Sequence, residues 1–299
     1  ESMMEHPNEP IAMEEEQRAQ SKKRKKHRRK KVSPLVRVLR TVLLVALLGV
    51  AVVFLAQYRE QLTPESVVDF LTNHTLFLGK GEGYPKSLPG GTDLSLEGMD
   101  DQAALLTDTH LYFYDTFGRE RFSYLHGFGS PVISINGKRT LIYDRGAKKY
   151  QVISFHKAEN VRTIDAGILY GTLSAKGHVG LILDAANYAA QVSVYDRNGN
   201  RLLTWYSAEN QATLLSFNSA STGFVVGTIG SDNGRTYSSV HYFNLKQDQQ
   251  LAKTDLKDNL LLALSCKQDG RVVAVGNHAL AVLDARGALQ REVVYQGVL

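Results

Sequence analysis

The feature that most restricts the fold of this 299-residue sequence is a repeat. Strand-like runs end in a polar residue at five positions, separated by steps of 41, 40, 48 and 40 residues. A series of glycines has steps of 39, 40, 46 and 47 residues. The polar series is Asp115, His156, Asp196, Asn244 and Asp284, and the glycine series is Gly98, Gly137, Gly177, Gly223 and Gly270. The two series alternate, which indicates five copies of one structural unit.

Each unit is predicted to contain four short β-strands. In the third unit these strands are residues 169–175, 178–184, 190–195 and 201–206. Gly177 and Gly199 fall in the turns between them, where glycine tolerates a positive φ. A period of about 40 residues with four strands is typical of a β-propeller, in which neighbouring blades cover each other's faces. We therefore predict an all-β propeller of about five blades over residues 92–299.

The five predicted blades leave the ring incomplete. The last predicted strand runs to the end of the sequence, so we expect about one to three further blades beyond Leu299 and a domain truncated at its C-terminus. Rings usually close by pairing strands from the two termini, and residues 74–78 (HTLFL) are a candidate closing strand.

A block of positive charge precedes an apolar segment near the N-terminus. The block consists of Lys22, Lys23, Arg24, Lys25, Lys26, Arg28, Arg29, Lys30 and Lys31. Residues 41–58 contain no charged side chain, and a helix of this length crosses most of a bilayer core. Positive residues beside such a helix stay in the cytoplasm and attract anionic lipid. The sequence therefore predicts a single-pass protein with its N-terminus inside and its propeller outside the cell membrane.

This topology divides the chain into four parts. We predict a disordered basic tail at 1–40, a transmembrane signal-anchor helix at 41–58, a juxtamembrane connector at 59–91 and the extracytoplasmic propeller at 92–299. A cleaved signal peptide is the alternative for 41–58, but the apolar run is longer than usual and no clear cleavage site follows it.

The basic block also has the composition of a nucleic-acid-binding patch. However, residues 22–31 include no aromatic side chain on which bases could stack. Residues 1–40 carry 12 of the 35 Lys and Arg residues and 6 of the 30 Asp and Glu residues, so the rest of the chain is almost neutral. We therefore expect no nucleic-acid partner.

The run Val192-Ser-Val-Tyr-Asp-Arg-Asn-Gly-Asn-Arg-Leu202, with the basic tail, the single apolar segment and the Pro- and Gly-containing connector, supports a family resemblance. This architecture resembles a domain-of-unknown-function family of membrane-anchored propellers found mainly in Gram-positive anaerobic bacteria. The resemblance implies a WD40- or quinoprotein-like propeller at a bacterial cell surface and implies no activity. The quinoprotein blade motif itself is not matched, because the glycine comes one residue early and Trp205 is the only tryptophan.

No catalytic, cofactor or metal site is predicted. The nine His residues show no metal-binding spacing, and Cys266 is the only cysteine. The glycines of residues 79–83 lack the Lys-Ser/Thr ending of a phosphate loop. Asp196, Asn198 and Asn200 resemble a calcium loop, but their glycine is misplaced and the final Glu is missing.

The repeated polar residues are expected to be structural, accepting hydrogen bonds from the backbone of their turns. The fourth unit is the longest, and its loop 230–235 is a candidate binding insertion or a plain long hairpin. The sequence favours a binding or scaffold module for a protein or cell-envelope component. The alternative is an enzyme or small-molecule sensor with a site on the propeller axis.

Overall fold

The structure is a computed structural model that describes residues 49, 83–89, 91–99, 102–154, 157–247 and 249–297. The predicted tail, the closing-strand candidate and, apart from Gly49, the predicted anchor lie outside these residues. In the part of the chain that is described, no helix has the length and apolar character needed to cross a bilayer.

The described chain is built of β-strands connected in sequence order. The first sheet contains β1 (Asp93–Met99), β2 (Gln102–Thr107), β3 (His110–Asp115) and β4 (Glu120–Leu125). The second contains β5 (Pro131–Asn136), β6 (Arg139–Asp144), β7 (Lys149–Ser154), β8 (Lys157–Ala158) and β9 (Arg162–Thr163). The third contains β10 (Ile168–Leu173), β11 (Val179–Leu183), β12 (Ala190–Tyr195) and β13 (Arg201–Ser207).

Two further sheets complete the described domain. The fourth contains β14 (Gln211–Phe217), β15 (Gly223–Asp232), β16 (Arg235–Asn244) and β17 (Gln250–Lys257). The fifth contains β18 (Leu261–Cys266), β19 (Val272–Gly276), β20 (Ala279–Leu283) and β21 (Leu289–Val294). Every sheet is an antiparallel meander, and in the second sheet β8 and β9 together occupy the fourth position beside β7. The predicted all-β architecture of repeated four-stranded units is confirmed.

Successive sheets pack face to face, and each of the four interfaces has its own apolar core. Phe113 and Ile142 belong to the core between the first and second sheets, and Tyr143 and Leu181 to the next. Val194 and Phe224 lie between the third and fourth sheets, where the largest cluster forms. Val240 and Ala281 lie between the fourth and fifth. The alternation of side chains in each strand supplies both faces, so every inner sheet is buried on two sides.

The sheets have two distinct ends. At one end, called the turn end, the first strand of a sheet joins the second and the third joins the fourth. At the other, called the loop end, the second strand joins the third and the chain passes from one sheet to the next. Neighbouring sheets keep the same orientation: the Lys176 N–H in a turn of the third sheet donates to Ser221 Oγ in the equivalent turn of the fourth, at 3.1 Å. The five sheets form an arc that does not close into a ring.

Two members of the glycine series do not occupy the predicted turn position. Gly137, Gly177 and Gly270 have positive φ values of 56°, 84° and 81° in their turns. Gly98 instead lies inside β1, and Gly223 is the first residue of β15. In the fourth sheet the positive φ belongs to Ser221, which holds the same place in its turn as Gly177 and Gly270 do in theirs, and Gly223 already begins the next strand.

Candidate functional site

The repeated polar residues lie at the turn end, where the third strand meets its turn. Asp115 Oδ1 accepts hydrogen bonds from the Phe117 and Arg119 N–H groups at 2.9 and 3.0 Å. Asp196 Oδ1 accepts from Asn200 N–H at 2.8 Å. Asp284 and Asn244 accept hydrogen bonds from the backbone N–H groups of their own turns in the same way. The fifth member of the series, His156, lies outside the described residues. These side chains satisfy turn backbone groups and leave few acceptor sites for a ligand.

Asp115 is the most buried of these carboxylates, at 4% exposure. Its Oδ2 accepts from Arg119 Nε at 2.8 Å. Burial opposes the charged form, but the two backbone N–H groups and the guanidinium outweigh burial and hold the pKa of Asp115 below its usual value. Its charge is therefore part of the fold at neutral pH.

The loop end of the fourth sheet carries the longest strands of the domain. β15 and β16 extend ten residues each and pair as far as Asp232 and Arg235. The two-residue turn between them is Asn233-Gly234, with φ values of 48° and 79°. This conformation suits a type I′ turn and continues the twist of the strands, so the projection is an ordered hairpin.

A polar cleft of about 440 Å³ lies along this hairpin, from the residues beside its turn to β17. Its walls are Asp232, Arg235, Thr236, Tyr237, Lys253, Asp255, Lys257 and Asp258. Ser239 Oγ donates to Asp255 Oδ1 at 2.6 Å, and Lys253 Nζ lies 3.0 Å from the same oxygen. Burial opposes ionisation of Asp255, but these two partners outweigh it and lower the pKa of Asp255. The volume is within the usual range of ligand pockets, and the lining has no apolar majority.

A polar contact holds the hairpin against the loop between the third and fourth sheets. Tyr237 Oη donates to Asn210 Oδ1 at 3.0 Å, and Asn210 belongs to the loop that leads from the third sheet into the fourth. The side chain of Asn210 can approach the hairpin this closely because residue 230 is glycine: a Cβ there would lie 2.3 Å from Asn210 Oδ1. The base of the hairpin is therefore fixed to the loop that precedes β14.

Behind the cleft, a buried histidine lies between the third and fourth sheets. His241 is 5% exposed, and its ring lies 4.8 Å from that of Trp205. Gln250 Oε1 is 2.9 Å from Nδ1, so Nδ1–H donates to it; Thr228 Oγ1, 3.0 Å from Nε2, then donates to Nε2. Burial lowers the pKa of His241, and the Gln250 hydrogen bond offsets this effect only in part. The imidazole is neutral at pH 7.

The Thr228–His241–Gln250 chain has the order of a nucleophile, a base and an orienting group. Thr228 is 0% exposed, however, so no substrate carbonyl or phosphoryl group reaches its hydroxyl. These hydrogen bonds satisfy polar groups buried between the third and fourth sheets and do not form a catalytic site. Across the described residues, no group of three or more His, Cys, Asp or Glu side chains is placed to hold a metal ion.

An aromatic pair is exposed at the loop end of the third sheet. Tyr188 lies in the loop between β12 and its preceding strand, and Tyr206 lies near the end of β13. Their side chains are 48% and 46% exposed, and the ring centroids are 4.7 Å apart. Exposed tyrosines held by each other offer apolar contact area with little loss of side-chain freedom on binding.

Sequence reasoning identified the loop 230–235 but not the tyrosine pair or the cleft. The turn Asn233-Gly234 was the available signal for an ordered hairpin. The spacing of Tyr188 and Tyr206 in the sequence does not show that their rings meet, because the path of the loop that contains Tyr188 sets that contact. The basic residues 22–31 lie outside the described residues.

Residues 91–294 match the sequence profile of a family of unknown function, DUF5711. The chain belongs to this family. The DUF5711 match runs from just before β1 to the end of β21 and so includes all five sheets. The predicted relation to a propeller family of unknown function is thereby confirmed at the level of family and fold.

The solved structure of the Dos1 propeller supports the propeller-like fold of this DUF5711 domain. The Dos1 propeller superimposes with a TM-score of 0.54 and 11% identity, over 72% of this chain and 63% of that one. The Neurospora crassa Pan2 WD40 domain gives a TM-score of 0.48 and 13% identity, over 68% of this chain and 66% of that one. This chain thus spans 63% of the length of the Dos1 structure. None of the curated proteins matches the sequence.

Proposed function

We propose that this DUF5711 protein is a membrane-anchored, extracytoplasmic binding module. Its partner is a protein or a cell-envelope component, and it binds at the loop end of the third and fourth sheets. The observation that carries the proposal is the exposed pair Tyr188 and Tyr206 on the same end of the domain as the ordered hairpin and its cleft. Rigid aromatic side chains beside a polar rim are the usual anchors of an interface.

Binding accounts for this surface better than catalysis does. Among the described residues, one hydrogen-bonded series has the order of a catalytic triad, and its central residue, His241, is buried between two sheets. The tyrosines and the charged residues of the cleft are instead open to solvent. A surface of this kind contacts a partner without needing to enclose and activate a substrate.

The attachment of the connector supports the same proposal. Gly83 N–H donates to Phe117 O at 3.0 Å, and Tyr84 Oη donates to Asp115 O at 3.0 Å. Lys86 Nζ lies 5.7 Å from the centre of the Tyr114 ring. These contacts hold the last residues of the connector against the turn end of the first sheet. The proposed binding surface is at the opposite end, where these connector residues do not compete with a partner.

The membrane location is proposed from the sequence, since residues 41–58 are uncharged and follow the basic block. Protease added to intact cells is expected to degrade the domain from residue 92 onward and to leave an N-terminal fragment protected by the membrane. Protection of the whole chain until the cells are lysed would contradict this location.

Site-specific photo-crosslinking tests the binding surface. We expect p-benzoylphenylalanine at position 188 to give one adduct of defined mass in intact cells. Tyr206→Ala should lower its yield about tenfold, the loss of one interface anchor. Removing Ser231, Asp232, Arg235 and Thr236 shortens the hairpin by two matched pairs and keeps the Asn233-Gly234 turn, so this variant should also lose the adduct.

The control is Phe117→Ala, because Phe117 is a similarly exposed aromatic residue, at 51%, on the turn end. This variant should retain the adduct. An adduct that persists in both Tyr206→Ala and the short-hairpin protein, or none at position 188, would show that the partner does not bind at this end.

A further inference from the structure

The second and third sheets carry an excess of positive charge at their turn end. Seven lysine and arginine residues and two carboxylates lie in or beside their turns, which gives a net charge of +5. The carboxylates are Glu159 and Asp196. The seven cations, called the basic face from here on, are Lys138, Arg139, Lys157, Arg162, Lys176, Arg197 and Arg201.

The cations of the two sheets form one continuous surface. Arg139 Nη1 of the second sheet donates to Lys176 O, in a turn of the third, at 3.4 Å. Arg162 Nη2 donates to Arg197 O, in the other turn of the third sheet, at 2.9 Å. Lys157 lies across the end of β7 from Arg139. The positive charge is therefore fixed in place by contacts between the sheets.

The carboxylates of this region are engaged within it, whereas several cations extend into solvent. Asp196 accepts two hydrogen bonds from Asn200, at 2.8 and 2.9 Å, and Glu159 Oε2 lies 3.2 Å from Arg162 Nη2. The exposed cations are Lys138, Lys157, Lys176 and Arg201. Like charges held close together repel one another, and an anionic partner relieves that repulsion.

The loop end of the same two sheets has no such excess of charge. Its loops at 144–149, 164–167 and 184–189 contain three cations and three carboxylates. The cations are Arg145, Lys148 and Lys149, and the carboxylates are Asp144, Asp165 and Asp184. The two sheets are therefore polarised, with their positive charge at the turn end.

We propose that the basic face lies against the anionic lipid headgroups of the membrane that anchors the chain, an inference that rests on the membrane location proposed above. The connector supports this partner, because Gly83 and Tyr84 reach the domain at the turn end of the first sheet, which packs against the second. A basic cluster is attracted to anionic lipid within a Debye length, about 8 Å at physiological salt. Contact with the membrane at this end leaves the loop end directed outward, where its proposed partner binds.

Amine labelling of the full chain in lipid nanodiscs tests this proposal. The discs contain phosphatidylcholine alone or an equal mixture with phosphatidylglycerol, and acetylation is measured by peptide mass spectrometry. In the anionic discs we expect Lys138, Lys157 and Lys176 to be acetylated several-fold less than in the neutral discs. High salt should abolish this difference, because it screens exposed charges. Lys148 and Lys149, at the loop end of the second sheet, should be labelled equally in both.

Charge reversal at each end of the second sheet provides a matched pair of variants. Lys138→Glu combined with Lys157→Glu should abolish the lipid-dependent protection of Lys176. Lys148→Glu combined with Lys149→Glu makes the same change of charge at the loop end and should leave that protection intact. All four side chains are exposed, so neither variant disturbs the core. Protection of Lys176 that survives in the first variant, or disappears in both, overturns the proposal.

The outcomes separate this inference from the proposed membrane location. A chain that does not enter neutral discs contradicts the anchor, and the inference falls with it. A chain that enters the discs but is labelled equally in both lipids overturns the inference alone. Protection by soluble polyphosphate in neutral discs, without protection by phosphatidylglycerol, shows an anionic polymer as the partner and also overturns the inference.

Discussion

At the scale of single residues, the repeat is maintained by carboxylates that complete tight turns. Asp115 shows this most clearly, because three donors meet its buried carboxylate. The same residue type recurs in the third and fifth sheets with the same backbone partners, so the repeat reflects turn geometry. A ligand site would not need five similar copies.

Asp115→Ala is expected to destabilise the domain by about 2–3 kcal/mol at pH 7, because charged hydrogen bonds to buried groups are lost. The folded pKa of Asp115 lies below its unfolded value of about 3.9. Its contribution is therefore complete above that pH and is lost as the pH falls through the lower, folded pKa. Urea unfolding at pH 7 and pH 3 should show the difference between wild type and variant shrinking in acid. Asp284→Ala, at a solvent-exposed turn, should have a smaller effect, and equal losses would contradict this account.

The stability of the domain also depends on pH through the buried His241. Burial lowers its folded pKa below the unfolded value of about 6.5, so the unfolded chain binds more protons between these two values. The stability from a neutral His241 is complete above about pH 6.5 and falls as the pH drops through that window. His241→Gln should cost about 1–3 kcal/mol at pH 7.5 and should flatten the stability profile below about pH 6.5. An unchanged slope in urea titrations would show that His241 does not couple to folding.

At the scale of elements, the sheets depend on close contact between their faces. Gly180 in β11 lies against the fourth sheet, and a Cβ there would be 2.9 Å from Leu215 and 3.0 Å from Phe217. Gly180→Val is therefore expected to destabilise the domain by about 1–3 kcal/mol through overpacking. Thermal unfolding provides the measurement.

Gly98→Val is the matched control for Gly180→Val. Gly98 is also a strand glycine without a positive φ, but a Cβ at this position would have no described atom within 4 Å. Valine should be neutral or slightly stabilising there, because it reduces the freedom of the unfolded chain. A loss at Gly98 equal to that at Gly180 would point to strand propensity and against intersheet contact.

At the scale of the whole molecule, the arc separates its two ends by role. The turn end contains the repeated carboxylates and the contacts of Gly83 and Tyr84. The loop end contains the hairpin, the cleft and the tyrosine pair. Function can therefore change at the loop end by altering loops while the turn end preserves the repeat.

The amino-acid sequence alone was enough to define the repeating unit, its four strands and most of its turns. These depend on neighbours along the chain: alternation of side chains along β12, and short polar or glycine residues in turns such as 196–199. Even there, Gly98 and Gly223 were placed wrongly, because both belong to strands and the left-handed residue of the fourth sheet's turn is Ser221, not a glycine. The tertiary structure was needed to show that Asn210 meets Tyr237 and that the Trp205 ring packs against His241. These contacts join residues of different strands and sheets, and intersheet packing, which has no local sequence period, brings them together.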